Sequence, residues 1–290
     1  MRRIVAPPTD NARTRPTRLS TAADNPRRAG DDEGMSSPPH SALASSFNAV
    51  AAQYAAARPG YPPALFEAVE EVTGRPLAGA EVLDVGAGTG IATRLLADRG
   101  ARVTAVEPGA GMAAQLRAFA PDVRLVRGDA DALPFRDGAA DLIAYAQSWH
   151  WTDPRRSVPE ALRVLRPGGA LAMWWNLPDL DVPWVARQEG RFAERCPAYR
   201  PPGFPSTVAG RLAPFGVRTA DRRVRWSRTI TVEDRVRSIG SHSYVAVMDA
   251  GEAAAVLDAE RAELLALFPD GVLTEPYVVD LVVGWGAGAG

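Results

Sequence analysis

The run Glu81-Val82-Leu83-Asp84-Val85-Gly86-Ala87-Gly88-Thr89-Gly90 constrains this chain more than any other segment. It reads as an apolar strand that ends in a glycine-rich turn and opens directly into a helix, Ile91-Ala92-Thr93-Arg94-Leu95-Leu96. Glycines in such a turn let the backbone reverse tightly and approach a ligand that a Cβ would hold off. The helix N-terminus behind them offers unpaired N–H groups and the positive end of a dipole. The segment is half of a βαβ unit, with a small-molecule seat made of backbone.

The same alternation continues downstream. Strands are expected at 81–85, 102–106, 122–126, 140–146 and 170–175, separated by helices at 90–99 and 110–119 and one ending near Leu165. Apolar strands alternating with helices of this length give an α/β fold, a mostly parallel sheet with helices on both faces. Arg166-Pro167-Gly168-Gly169 stops one helix and launches the next strand. After about 180 the rhythm changes. A helix at 184–195 and a Pro-rich loop from Pro197 to Pro205 precede an alternating polar strand, Arg222–Ile230. Helices at about 232–239 and 251–267 lead to a last apolar strand, Pro276–Val283. Two late strands joined by helices suit an antiparallel hairpin that completes the sheet, with a helical cover over about 230–270. Arg222, Arg223, Arg225 and Arg228 read as a solvated strand face, with an acidic ligand as the lesser alternative.

The patterned region, 45–285, is one domain. A first helix carries Phe47, Val50 and Tyr54 and must stop near Arg58-Pro59-Gly60-Tyr61-Pro62-Pro63; a second runs from about Ala64 to Val72. Residues 1–44 are rich in Arg, Pro, Ser, Thr, Asp and Gly without apolar periodicity, which is the composition of a disordered tail. Translation from Met35 is the alternative, and the acidic Asp31-Asp32-Glu33 argues against a targeting peptide. The Gly-Ala-Gly end at 286–290 is expected to fray. With 33 basic residues against 34 acidic ones, the net charge is −1, which speaks against a nucleic-acid or membrane-surface protein. No apolar run approaches the roughly 20 residues that span a bilayer. The single Cys196 excludes an internal disulfide framework or cysteine zinc cluster, so a reducing cytoplasm is the default and no metal is expected.

In a doubly wound sheet, ligands sit beyond the carboxyl ends of the strands where strand order reverses. Four loops should meet there: the glycine turn with Asp84 before it, Glu107 ending the second strand, Gly128-Asp129-Ala130 after the third, and Ala146-Gln147-Ser148-Trp149-His150-Trp151 after the fourth. Glu107 is placed for a bidentate hydrogen bond to a ribose diol; Asp129 beside Leu133-Pro134-Phe135 suits the edge of an adenine ring. A dinucleotide fingerprint needs a small residue three positions after Gly88, where this chain has Ile91. Asp84 beside the turn would repel a pyrophosphate and attract an amino-acid ammonium. NAD, and with it an oxidoreductase, is therefore the runner-up.

Asp84-Val85-Gly86-Ala87-Gly88-Thr89-Gly90, Val106-Glu107-Pro108, Gly128-Asp129-Ala130 and Leu165-Arg166-Pro167-Gly168-Gly169 resemble the successive motifs of class I S-adenosylmethionine-dependent methyltransferases. The segments 54–62 and 146–151, and Ser241-His242-Ser243-Tyr244 late in the chain, are similar to a methyltransferase type 11 subgroup that includes trans-aconitate-methyltransferase-like proteins. The resemblance implies a Rossmann-like, seven-stranded sheet with an antiparallel last strand. It implies S-adenosylmethionine as cofactor, with Gly86, Ala87, Gly88, Thr89 and Gly90 beneath its methionine part and Asp84 near the ammonium. Glu107 would take the ribose hydroxyls, with Pro108 and Met112 beside them. Asp129 and the Ala130 N–H would read the adenine, Gln147 would lie by the sulfonium, and Tyr54 and Arg58 would close the pocket.

Methyl transfer to a small-molecule acceptor, on oxygen or carbon, is the expected reaction, by in-line displacement. His150 is the ionisable side chain of its loop suited to act as a base near neutrality, with packing as its alternative role. Trp149, His150, Trp151, Ser243 and Tyr244 are the candidate acceptor contacts. A protein that binds S-adenosylmethionine without transferring a methyl, such as a cyclase, is the other alternative.

Overall fold

The computed structural model describes residues 59–199 and 205–286; the predicted tail, Tyr54, Arg58 and the C-terminal residues 287–290 lie outside them. In chain order the elements are α1 (Pro63–Thr73), β1 (Glu81–Val85), α2 (Ile91–Asp98), β2 (Arg102–Val106), α3 (Ala110–Phe119), β3 (Arg124–Val126) and β4 (Ala140–Ala146). They continue with α4 (Pro154–Val164), β5 (Leu165–Pro178), α5 (Pro183–Arg195), α6 (Pro205–Leu212), β6 (Arg218–Thr231), α7 (Val232–Gly240), α8 (Ser243–Ala246), α9 (Ala250–Leu267) and β7 (Val272–Trp285). Single 3₁₀ turns occupy Trp149–Trp151 and Ala213–Phe215.

The seven strands form one sheet in the order β3-β2-β1-β4-β5-β7-β6. β1 to β5 are parallel, and β7 enters antiparallel between β5 and β6. This is the seven-stranded, Rossmann-like sheet with an antiparallel last strand. Parallel strands buried on both faces should be apolar throughout, and β1 shows why: Leu83 and Val85 join the core on one face, and Val82 joins the core on the other with α1 and α2. The single polar intrusion is Asp84, on the Val82 side of the strand.

The late strands are longer than the sequence pattern suggests. β5 begins at Leu165 rather than after Gly169, with a register shift opposite Ala140–Leu142 that absorbs the Arg166–Gly169 turn. α6 starts at Pro205, inside what reads in the sequence as a proline-rich loop, because proline is well tolerated in a first turn. Trp149 lies 2 % exposed in the core beneath Arg211 of α6, at 5.0 Å from ring centroid to guanidinium carbon.

β6 is an edge strand, and its arginines do not form an open basic face. Arg222 meets Glu71 at 3.2 Å, Arg223 meets Asp280 at 2.8 Å, Arg225 meets Asp179 at 3.2 Å and Arg228 meets Glu275 at 2.6 Å. Charged side chains along an edge also discourage pairing with another chain. The cover is tied to the sheet by a buried polar network. Arg235 of α7 donates to Glu275 of β7 at 2.7 Å and to Gln188 of α5, which in turn donates to Glu260 of α9 at 3.1 Å. Arg191 closes the network with bonds of 2.6 and 2.7 Å to the two oxygens of Glu260. Among the described residues no helix is long and apolar enough to cross a membrane.

Removing one member of a buried pair leaves an uncompensated charge. Glu275→Ala strands Arg235, itself 6 % exposed, with Gln188 as its remaining partner. Chemical denaturation should show a loss of about 3–5 kcal/mol, whereas Glu81→Ala, which breaks an exposed pair with Arg102, should cost about 0–1 kcal/mol. Equal losses would show that the network does not hold the cover.

Candidate functional site

Strand order reverses between β1 and β4, and the loops at the carboxyl ends of β1, β2, β3 and β4 open onto one cavity of about 400 Å³. Its floor is the glycine turn. Gly86 takes φ of 71°, Gly88 58° and Gly90 91°, conformations that L side chains rarely adopt. At Gly86 there is no room either, since a Cβ would come within 2.5 Å of the Ser148 Cβ. At Gly88 a Cβ would meet no protein atom within 4 Å, so the missing side chain there leaves open space that belongs to the cavity.

The turn donates less to this space than its sequence suggests. Gly86 and Ala87 both give their N–H to the Val106 carbonyl, at 2.8 and 3.1 Å. The Gly88 N–H goes to Glu107 Oε2 at 2.8 Å, and the Gly109 N–H goes to Glu107 Oε1 at 2.7 Å. Glu107, 6 % exposed, thus clamps the β1 turn to the β2 turn while lining the cavity. Burial pushes its carboxyl pKa up, against the pull of the two N–H donors. A carboxylate has about four acceptor positions, so two bonds leave capacity for a ligand.

Asp84 is placed differently from the expectation. It is fully buried, accepts from the Thr93 hydroxyl of α2 at 2.5 Å, and is not among the residues lining the cavity. Its other oxygen, Oδ1, has no partner among the described residues. Burial pushes its pKa up to about 6, with the Thr93 bond opposing and the nearby Glu107 charge adding to the rise. The carboxylate therefore sits beneath the turn, fastening β1 to the first turn of α2. The direction of a side chain on a short buried strand is what the sequence did not reveal.

Gly86–Thr89, Glu107, Pro108, Met112, Asp129, Ala130 and Gln147 all line the cavity. Gly90 is not itself in the lining; it caps α2. Asp129 Oδ1 accepts from the Asp131 N–H at 2.9 Å, the bond of a local Asx turn. Gln147 has φ of 55° and is the one non-glycine residue in the left-handed region among those described. Such strain concentrates at functional sites. Its N–H donates to the Trp174 carbonyl at 2.9 Å, and its side chain stands 3.5 Å from the Tyr61 hydroxyl. Tyr61, Tyr145, Thr152 and Arg156 also line the cavity. In the sequence Tyr61 marks only a helix stop, and nothing singles out the others.

The acceptor candidates separate. Trp151 is 43 % exposed and lines the cavity, whereas Trp149 is in the core. His150 is not in the lining: its Nδ1 accepts from the Trp175 indole N–H at 3.1 Å, which puts the proton of the neutral ring on Nε2. Burial, assisted by the charge of Arg211, lowers its pKa to about 4. This arrangement supports packing over a basic role. Tyr244 packs on Phe192 at 5.6 Å and Tyr199 at 5.2 Å in the cover core, away from the lining, and Ser243 is the first residue of α8.

A raised carboxyl pKa makes the folded state favour the protonated form. The contribution of Asp84 to stability is therefore fully present below about pH 4 and is lost as pH rises through about 6, a difference on the order of 3 kcal/mol. Asp84→Asn should remove this loss, so that the melting temperature of the variant relative to wild type rises between pH 4 and 7. A difference that is flat with pH would place Asp84 in a solvated setting instead.

The methyltransferase domain family model matches residues 83–173. An uncharacterized methyltransferase of Mycobacterium tuberculosis is 37 % identical over 239 residues, covering 80 % of this chain and 92 % of that protein. A solved structure from Anaeromyxobacter dehalogenans, assigned to the type II methyltransferases, superposes with a TM-score of 0.61 at 26 % identity, over 78 % of this chain and 97 % of that one. The [4+2]-cyclase SpnF superposes with a TM-score of 0.51 at 18 % identity over 87 % of this chain and 98 % of that one, a likeness of fold alone. The family model covers the strands that build the cavity, and the mycobacterial relative extends the match over nearly its own whole length. The chain belongs to the class I S-adenosylmethionine-dependent methyltransferases, with S-adenosylmethionine as its cofactor.

Proposed function

We propose that this chain transfers the methyl group to a small-molecule acceptor, at oxygen or carbon, in the cavity above the β1–β4 switch point. The observation that carries the reading is Glu107, whose carboxylate is fixed by two backbone N–H groups at the edge of the cavity and retains acceptor capacity for a diol. The open space at Gly88 fits the same ligand, because it lets backbone lie against the cofactor's methionine part. In this reading Gly86–Thr89 support that part and Gly90 shapes the turn from behind. Glu107 holds the ribose, Pro108 and Met112 flank it, and Asp129 with the Ala130 N–H reads the adenine. Gln147 lies at the sulfonium end with Tyr61. Asp84 acts through Thr93 and the turn rather than on the ammonium.

When bound, S-adenosylmethionine supplies an electrophilic methyl carbon, and the protein supplies alignment and exclusion of water. Alignment alone is worth roughly 7–11 kcal/mol when the reacting atoms are held in attack geometry. Gln147, locked in a left-handed conformation against the Trp174 carbonyl, is a rigid marker of the transfer end. With His150 held by Trp175, no histidine lines the cavity among the described residues. The reading favours an acceptor that is already anionic near neutrality, a carboxylate or an acidic enol or phenol.

Calorimetry with S-adenosylhomocysteine tests the cofactor seat. Glu107→Gln should weaken binding by about 10- to 100-fold, the loss expected for a charge-assisted hydrogen bond, and wild-type affinity would overturn the assignment. Mass spectrometry for S-adenosylhomocysteine formation over a panel of carboxylates, enols, phenols and amines tests the acceptor class; turnover confined to amines would refute it. NAD should give no thermal shift.

A further inference from the structure

One stretch of the cavity lining, Trp151, Thr152 and Arg156, has no part in the cofactor seat described above. Its place is set by a hydrogen bond: the N–H of Asp153, the N-cap of α4, donates to Asp131 Oδ1 at 3.2 Å. Asp131 in turn gives its own N–H to Asp129 Oδ1 at 2.9 Å. The loop that leaves Gln147 at the transfer end is thereby tied, farther on, to Asp129 and Ala130 at the adenine end. Burial and the charge of Asp129 push the Asp131 carboxyl pKa up, while the Asp153 N–H and the charge of Arg156 pull it down. Arg156 therefore stands within electrostatic reach of the same loop.

Two side chains of this stretch have no role in holding the fold. Arg155 and Arg156 are neighbours in the first turn of α4, where the positive end of the helix dipole disfavours a cation. Arg155 is offset by Asp153, with bonds of 3.1 and 2.9 Å. The exposed Arg156 guanidinium makes no hydrogen bond or ion pair among the described residues, yet it lines the cavity with three carboxylates, Glu107, Asp129 and Asp131. Trp151 lines the same cavity, and its ring packs on that of His150 at 4.6 Å between centroids. His150 is itself pinned by the Trp175 indole N–H at 3.1 Å. The Trp151 indole is thus braced by protein, while 43 % of the residue stays open.

We propose that Trp151 and Arg156 complete the adenine pocket, Trp151 by stacking on the face of the ring and Arg156 by donating to its N7. Adenine presents an amine donor flanked by two ring-nitrogen acceptors, N1 and N7. Carboxylates accept, so Asp129 and Asp131 can meet only the amine. The Ala130 N–H supplies a donor for N1, and the guanidinium, which only donates, supplies one for N7. An aromatic ring against a base adds affinity through the π-face that these edge contacts leave uncovered. Trp151 then serves the cofactor rather than the acceptor, contrary to the expectation from the sequence. This wall deepens the cofactor seat proposed above and rests on it.

Calorimetry with S-adenosylhomocysteine and its 7-deaza analogue, S-tubercidinylhomocysteine, which has a carbon in place of N7, tests the pair. Wild type should bind the analogue about tenfold more weakly. Arg156→Leu should bind S-adenosylhomocysteine about tenfold more weakly than wild type does, and should no longer distinguish it from the analogue. Trp151→Ala should weaken both ligands by about tenfold or more, and Trp151→Phe, which keeps a ring, should restore most of the loss. Equal binding of the two ligands by wild type, or an Arg156→Leu variant that still discriminates between them, overturns the proposal. Wild-type affinity in Trp151→Ala does the same. Undiminished S-adenosylhomocysteine binding by Glu107→Gln would instead defeat the seat on which the wall rests.

Discussion

The carboxylate of Glu107 is the interaction on which the site depends. Its two oxygens accept from Gly88 and Gly109, so one side chain fixes the turn after β1 relative to the turn after β2. Without it, two glycine-containing loops would each be free to relax, since glycine carries the largest backbone entropy of any residue. The carboxylate is also one of the charged groups that line the cavity, with Asp129, Asp131 and Arg156. Burial favours its neutral form and the N–H donors favour its charged form, and a ligand diol adds two more donors to the charged side. In the proposed cofactor seat, ligand binding and the geometry of the turn are linked through this one group.

Asp84 shows the complementary arrangement one layer down. Its carboxylate has a single donor in Thr93 and an unpartnered oxygen, so desolvation dominates and the pKa rises. The site stacks a well-satisfied carboxylate at the cavity over a poorly satisfied one beneath it, and the charge of Glu107 adds to the cost of ionising Asp84. The stability forgone at Asp84 is the kind of local frustration expected where the fold serves a ligand rather than itself.

Much of this was legible in the sequence, for a physical reason. Parallel strands buried on both faces must be short apolar runs, and the residue ending each run necessarily lies at the ligand edge; Glu107, Asp129 and Gln147 could be placed by that rule alone. The rule gives position along a strand but not the face, and Asp84 faces Thr93 rather than the cavity. It also cannot weigh two neighbours in one loop: Trp149 turned inward under Arg211 and Trp151 outward, because a 3₁₀ turn separates their directions. The helix at Pro205 was obscured because proline marks loops and first turns alike. The partners of the β6 arginines were invisible for a different reason, as Glu71, Asp280, Asp179 and Glu275 come from distant parts of the chain.

The lengths of the strands divide the work of the sheet. β1 and β2 are five residues each and stop at the cavity, whereas β5, β6 and β7 are fourteen residues each and continue past it. A long hairpin with one open face would be a poor structure alone, and here it is braced by the cover helices through Glu275, Arg235, Gln188 and Glu260. Those groups are mutually satisfied, while Trp174 and Asn176 on the same extension are not. The contrast matters because both sets are buried in the same part of the fold. General crowding or poor packing would leave unsatisfied groups scattered through the charge network as well. The buried side-chain atoms without a partner among the described residues, Asp84 Oδ1, the Tyr145 hydroxyl, Trp174 Nε1 and Asn176 Nδ2, lie instead on the central strands β1, β4 and β5.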